Sequence, residues 1–265
     1  MENLFQELQQ SELERFFAGI SLTVNSTVSG VVSSSELHRF FNDIWQQVEK
    51  ADEQQRAEDL TRATRFNVFD LIEPDENKLS DVIADLLDPK GTHGQGDAFL
   101  RLFIEQLGIR PEANATRNAT VRREALTHFI PNDRRRIDVL IEAGQLFLAI
   151  ENKVDSLEQT DQVKDYLEHL DECSRGGPVP SILIYLTPNG RRPKSLDADN
   201  LKRHHDGNRL NCMSYHGAFR DWLKRCVEEC KAPKVCHFLS DFIAHIETTL
   251  KRELADSDEG EVHDE

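Results

Sequence analysis

The sequence has no uninterrupted apolar run of ~18 residues, the length a helix needs to cross a bilayer, so no membrane span is expected. No apolar signal core stands near its start: MENLFQELQQSELERF carries acids among its apolar residues, which argues against a secretory peptide. Cysteine is scarce and odd in number, with Cys173, Cys212, Cys226, Cys230 and Cys236 all in the later part of the chain. Reduced thiols in a cytoplasmic protein are therefore expected rather than a disulfide framework. Cys226 and Cys230 lack a matching second pair, so a zinc site with Cys236 and His237 gives way to helical thiols. His204-His205 has only Asp206 for company. There is no Gly-rich phosphate loop, no G-x-S-x-G, no Ser/His/Asp ordering, no internal repeat and no heptad run.

Positive charge is also short. The net charge of −16 is the main objection to a nucleic-acid role, because phosphate binders are usually basic. The deficit is uneven. The final ADSDEGEVHDE is an acidic tail expected to be disordered, and the helix candidates at 1–16 and 47–59 are acidic too. Basic residues gather at Arg122-Arg123, Arg134 to Arg136, Arg191-Arg192 with Lys194, and Lys202-Arg203.

What is present centres on residues 134–166. Ile137, Val139 and Ile141 alternate with other residues, Ala143-Gly144 breaks the run, and Leu146 to Ile150 leads into Glu151-Asn152-Lys153. Two apolar runs around a Gly-containing break predict a β-hairpin. With Ala143-Gly144 as a two-residue turn, Glu142 faces Gln145 and Asp138 faces Ala149. Alternation then puts Asp138, Ala149, Glu151 and Lys153 on one face, Asp138 diagonal to Glu151. Ile137, Val139, Ile141, Leu146, Leu148 and Ile150 fill the other face. A helix is expected over Glu158 to Leu170, with Val163, Tyr166, Leu167 and Leu170 inward.

Two carboxylates and an ammonium at the end of an apolar hairpin are costly unless paired or bound to metal. One reading is a structural ion network, with Asp138 on Arg136 or Lys153 and Glu151 on Lys153. The other is a site. Such carboxylates suit Mg²⁺ or Mn²⁺, and a Lys beside them can orient or deprotonate a water for attack on phosphorus.

Asp138, then Glu151-Asn152-Lys153 on the next strand, resembles the core of the PD-(D/E)XK nuclease superfamily, with Ile137 where Pro often stands. Gln162-Val163-Lys164-Asp165-Tyr166 resembles the Q-x-x-x-Y motif of its exonuclease-like branches. Glu76-Asn77-Lys78-Leu79-Ser80 and His93-Gly94-Gln95-Gly96 resemble the start of the domain in a bacterial branch, where the first helix supplies a further acid, here Glu76. The resemblance covers roughly residues 67–185. It implies an α/β, restriction-endonuclease-like core: a mixed central sheet flanked by helices, with helical N- and C-terminal extensions. It implies a metal-dependent nuclease acting on DNA, with a place in bacterial defence or DNA processing. Asp138, Glu151, the Asn152 backbone carbonyl and Glu76 are then the metal-site candidates for Mg²⁺ or Mn²⁺. Lys153 serves the attacking water, while Gln162 and Tyr166 steady substrate or the Lys strand.

The expected organisation is a helical segment 1–60, a nuclease-like core 61–190, a helical part 191–251 packing on the core, and the tail 252–265. Residues 1–19 read as an amphipathic helix, and a helix is expected from near Ser35 through Val48. Further helices are expected after Glu76, over Phe99 to Leu107, and near 217–231 and 234–251. Strands are expected within 121–130 and at Ser181 to Thr187. His93 is read as a structural or solvated loop residue rather than a catalytic one. The partner is nucleic acid, DNA first, with a homodimer or a protein partner left open and no membrane contact. An inactive nuclease-like fold used for assembly is the contrasting class, and a metallohydrolase of nucleotides is a third.

Overall fold

The computed structural model describes residues 34–63, 66–110, 112, 114–127, 135–154, 156, 158–173 and 180–250. The helix expected over 1–19, Arg134 and the acidic tail lie outside them. The chain divides into two units between Phe66 and Asn67.

The described part of the first unit is one 29-residue helix, α1 (Ser34–Arg62), which unites the stretches expected separately at 35–48 and 47–59. It leaves Phe40, Ile44, Trp45 and Val48 exposed.

The second unit holds α2 (Val68–Ile72), α3 (Glu76–Leu87), α4 (Ala98–Gln106), β1 (Thr120–Leu126), β2 (Arg136–Ala143) and β3 (Leu146–Asn152). It continues through α5 (Gln162–Cys173), β4 (Ser181–Thr187), α6 (Ala198–Asp206), β5 (Leu210–Ser214), α7 (Arg220–Glu229) and α8 (Pro233–His245). The strands form one mixed sheet in the order β1-β2-β3-β4-β5. β1, β2 and β3 pair antiparallel, whereas β3, β4 and β5 run parallel. β4 is buried along its whole length, and its unbroken apolar text SILIYLT reflects a parallel strand covered on both faces. β1 is an edge strand whose exposed residues alternate with half-buried ones, and its charged TVRREAL discourages further pairing.

Helices cover both faces of the sheet. On one, Val139, Ile141, Leu148, Ile150, Ile184 and Met213 pack with residues of α2, α3, α4, α7 and α8. On the other, Leu140, Ala149, Leu183 and Tyr185 pack with Val163, Tyr166, Leu167 and Leu170 of α5. This is the α/β architecture the motifs implied.

The hairpin turn falls one residue later than the parity argument assumed. Ala143 pairs with Leu146 and Leu140 with Ala149, so Gly144-Gln145 make the turn, with Gly144 at φ 61°. Moving a two-residue turn by one place shifts the register by two, an even shift that by itself changes no side chain's face. Asp138 therefore stands opposite Glu151 rather than diagonal to it. Ile137 departs from the expected face: it joins Leu140 and Ala149, not Val139 and Ile141. The cause is a local break beside Asp138. The β1–β2 pairing runs from Arg123↔Val139 to Ala125↔Ile137 without a Glu124↔Asp138 pair, and Glu124 takes φ 47°.

α5 starts at Gln162 rather than near Glu158, because Asp161 adopts φ 58° and closes a turn from Gln159 to Gln162. The Arg135 guanidinium fastens this start, bonding to Asp165, to the Thr160 carbonyl and to Gln159 Oε1 at 2.8 Å. His204 and His205 lie on α6, and α6 and β5 are elements that sequence reading missed.

Candidate active site

The site lies where β2 begins and β3 ends. Glu151, 1% exposed, is the next-to-last residue of the apolar strand β3, so its carboxylate is surrounded rather than solvated. Its Oε1 accepts from Gln162 Nε2 at 2.6 Å and from Lys153 Nζ at 3.1 Å. Its Oε2 is buried and has no partner among the described residues. Burial, and then the charge of Asp138, push the Glu151 carboxyl up to about 8. Asp138 is raised as well, chiefly by burial, against the lowering pull of the Asn152 N–H and of Lys153. Both carboxyls are thus raised mainly because burial disfavours their charged forms.

Asp138 is fixed by the strand opposite. Its Oδ2 accepts the backbone N–H of Asn152 at 2.8 Å, taking a position the ladder would otherwise give to a carbonyl. Arg123 of β1 donates to the Asp138 carbonyl and pairs with Asp81 of α3 at 2.9 Å.

Lys153, buried beside Glu151, donates to Ser156 Oγ at 3.1 Å. Its Nζ lies 3.9 Å from Glu76. Glu76 opens α3, where Asp75 caps the helix by accepting from Lys78 N at 2.8 Å. The Glu76 carboxylate turns to the loop after β3, accepting from Val154 N at 3.0 Å, Ser156 N at 3.3 Å and Ser156 Oγ at 2.7 Å. The helix acid thus reaches Lys153 through the loop it holds.

The Asn152 side chain, on the opposite face, is fully buried and fully bonded. Its Nδ2 donates to the Glu76 carbonyl at 3.1 Å and to Ser80 Oγ at 3.0 Å, and its Oδ1 accepts from Tyr215 Oη at 2.8 Å. One amide therefore joins β3, α3 and the turn after β5.

Gln162 and Tyr166 share a buried face of α5. Gln162 Nε2 also donates to Tyr166 Oη at 3.1 Å, and Tyr166 donates to the Arg136 carbonyl at 2.7 Å. Burial and then the Glu151 charge hold the Tyr166 hydroxyl far above its usual range, so it stays protonated. The pair grips Glu151 and the start of β2 from inside the protein.

The structure thus brings together Glu76, Asp138, Glu151, Asn152, Lys153, Gln162 and Tyr166, drawn from α3, both hairpin strands and α5. Ser156, Tyr215, Arg123 and Arg135 join them without having been read from the sequence. A lone Ser after the Lys strand and a Tyr 63 residues beyond Asn152 carry no local signal. His93 packs on Phe99, and its ring nitrogens bond within the loop, to the Asp88 carbonyl and the Gln95 N–H. All five cysteines are free.

Among the described residues, no group of three or more His, Cys, Asp or Glu side chains is arranged to hold a metal ion. The donors that do fit one are the two raised carboxylates. Asp138 and Glu151 are hard oxygen donors, and the unpartnered Glu151 Oε2 is an oxygen a divalent cation would satisfy. No described helix is long and apolar enough to cross a membrane.

A five-stranded mixed sheet with helices on both faces is an α/β fold of the restriction-endonuclease-like kind. A family model described as PD-(D/E)XK nuclease superfamily matches residues 66–244, and the chain belongs to that superfamily. No curated protein and no solved structure matches the chain.

Proposed function

We propose that this protein is a divalent-metal-dependent nuclease that hydrolyses phosphodiester bonds in DNA. The observation that carries the reading is the unpartnered Oε2 of Glu151, buried opposite Asp138 in a member of a nuclease superfamily. Asp138 and Glu151 would hold Mg²⁺ or Mn²⁺, with the Asn152 backbone carbonyl as a further ligand. The bound ion would supply Lewis acidity toward the phosphate and an acidified water.

The chain's own residues do the rest. Lys153 has three N–H donors, and Glu151 and Ser156 take two of them, which leaves one for the attacking water. The water oxygen bonds to phosphorus and gives up a proton to solvent, as the bond from phosphorus to the leaving sugar oxygen breaks and that oxygen takes up a proton from solvent. Glu76 supports the site by holding the 154–156 loop and, with it, the Ser156 hydroxyl on Lys153. Gln162 and Tyr166 support it by fixing Glu151. The free cysteines favour a reducing compartment, the cytoplasm, and a role in bacterial defence or DNA processing rests on the motif resemblance alone.

One observation favours a second reading, in which the fold is an assembly module: the net charge of −16 repels a polyanion. The test compares wild type with Lys153→Ala on linear, circular and single-stranded DNA and on RNA, with Mg²⁺, Mn²⁺ or EDTA. Metal-dependent cutting of DNA that the variant loses is the expected result. Folded but equally inert proteins would favour the assembly reading.

A further inference from the structure

A polyanion approaching a chain of net charge −16 needs a local reserve of positive charge. Most of the basic runs in this sequence are already committed. Arg122 pairs with Glu142, Arg123 with Asp81, Arg135 with Asp165, Arg136 with Glu124, and Arg209 with Asp171. These arginines brace the sheet and α5 rather than face a ligand.

Arg191, Arg192 and Lys194 differ. None has a carboxylate partner among the described residues, and both Arg192 and Lys194 are exposed. They occupy the loop that leaves the carboxyl end of β4, the strand parallel to β3. Glu151 pairs in register with Tyr185 and Asn152 with Leu186, and the Lys153 N–H bonds to the Leu186 carbonyl at 2.8 Å. By this register Lys153 is level with Thr187, so the loop begins one residue past it and Arg191 lies four past. Ligands of open α/β sheets bind outside the carboxyl ends of such strands.

The loop is also held in place. Pro188 O accepts from Ser214 Oγ at 2.8 Å, Asn189 Oδ1 accepts from Arg191 N at 3.1 Å, and Pro193 is buried. Gly190, at φ 74°, lies so close to Ser214 that a Cβ there would come within 3.3 Å of it. At the far end, Glu158 accepts the Lys194 N–H and both the N–H and hydroxyl of Ser195, tying the loop to the segment before α5. Among the described residues, the bonds of Glu158 at this loop go to the backbone and Ser195 rather than to the three cationic heads. Burial raises the Tyr185 hydroxyl, and the charges of Glu158, Arg191 and Glu151 all bear on it. Lys202 and Arg203, by contrast, sit on α6 as it runs away from this end toward the start of β5.

We propose that the 188–195 loop is the docking surface for the sugar–phosphate backbone of the nucleic-acid substrate, with Arg191, Arg192 and Lys194 as its phosphate contacts. This rests on the nuclease reading and names where that substrate is held. The contact is to charge, so it positions a strand without selecting its bases.

The test measures binding of a fluorescein-labelled linear DNA duplex between 50 and 200 mM KCl, by anisotropy, in full-length Asp138→Asn protein. Three derivatives are compared: R191Q/R192Q/K194Q, the charge-keeping R191K/R192K, and K202Q/R203Q on the far side. Each lost phosphate contact lowers the slope of log K against log salt by about 0.9, so the triple variant is expected to lose about 2 to 3 units and at least about tenfold in affinity. R191K/R192K and K202Q/R203Q should keep the parental slope. A triple variant with the parental slope, or a far-side pair that loses as much, overturns the assignment and leaves the nuclease reading intact. Wild type that neither cuts nor binds DNA or RNA overturns both.

Discussion

The Asp138 carboxylate accepts the backbone N–H of Asn152 at 2.8 Å, so each strand of the hairpin fixes a chemical group of the other. The aspartate is placed by the residue between the motif's second acid and its lysine. The same residue carries, on the reverse face, the amide that binds Glu76, Ser80 and Tyr215. Small shifts at this crossing reach both carboxylates.

Removing the lysine should abolish turnover and spare the fold. Lys153→Ala is expected to lower kcat by about 10²- to 10⁴-fold, the range for a positioned proton-transfer group. Cleavage rates at saturating Mn²⁺, alongside circular dichroism, check this. A variant that cuts at the wild-type rate would remove Lys153 from the mechanism.

Gln162→Ala should weaken metal binding without touching a metal ligand. It strips Glu151 Oε1 of its 2.6 Å bond, and outer residues that orient ligands contribute about 10- to 100-fold in affinity. Calorimetric titration with Mn²⁺ measures it. Tyr166→Phe keeps the Gln162–Glu151 bond and should fall short of that loss.

Stability without metal should fall as pH rises. Glu151 is raised from its ordinary value to about 8, so between about 4.5 and about 8 the folded protein binds more protons than the unfolded chain. Its contribution is complete below about 4.5 and is lost as pH climbs through about 8. The raised Asp138 acts with the same sign. Tm in EDTA should therefore decline across that window, with a shallower decline in Glu151→Gln. An unchanged slope in that variant would mean Glu151 is not the group responsible.

Asn152→Ala should cost stability as well as activity. It strands the buried Tyr215 hydroxyl, at about 1–3 kcal/mol for a buried group left unpaired, while the Ser80 hydroxyl keeps its bond to the Glu76 carbonyl. Urea unfolding in EDTA reads the stability change apart from metal binding. Asn152→Ala with wild-type unfolding would show that the joint is not structural.

The hairpin, its break and the ordered motif residues were legible because strand alternation and the spacing of charges are local properties. β4 was legible for the same reason, as an apolar run bounded by turn residues. The turn was misplaced by one residue because both Ala143-Gly144 and Gly144-Gln145 satisfy a Gly-containing break. Parity survived the error, since the shift was even. Ile137 was assigned to the wrong face because the positive φ of Glu124, on another strand, distorts the pairing beside it. The grips of Ser156, Tyr215 and Arg135 were invisible for a different reason. Each joins residues far apart in the chain or depends on a loop conformation that no periodicity encodes. β5 escaped notice because LNCMS mixes polar and apolar residues without alternating cleanly.

Tyr215 is the last side chain to reach the Asn152 joint, and α7 and α8, which complete one core, follow it. During synthesis the hairpin with both carboxylates emerges well before these pieces. The candidate site therefore lacks this brace while the nascent chain is short. A chain ended before Tyr215 carries every motif residue of the candidate site but lacks the hydroxyl that bonds the Asn152 amide.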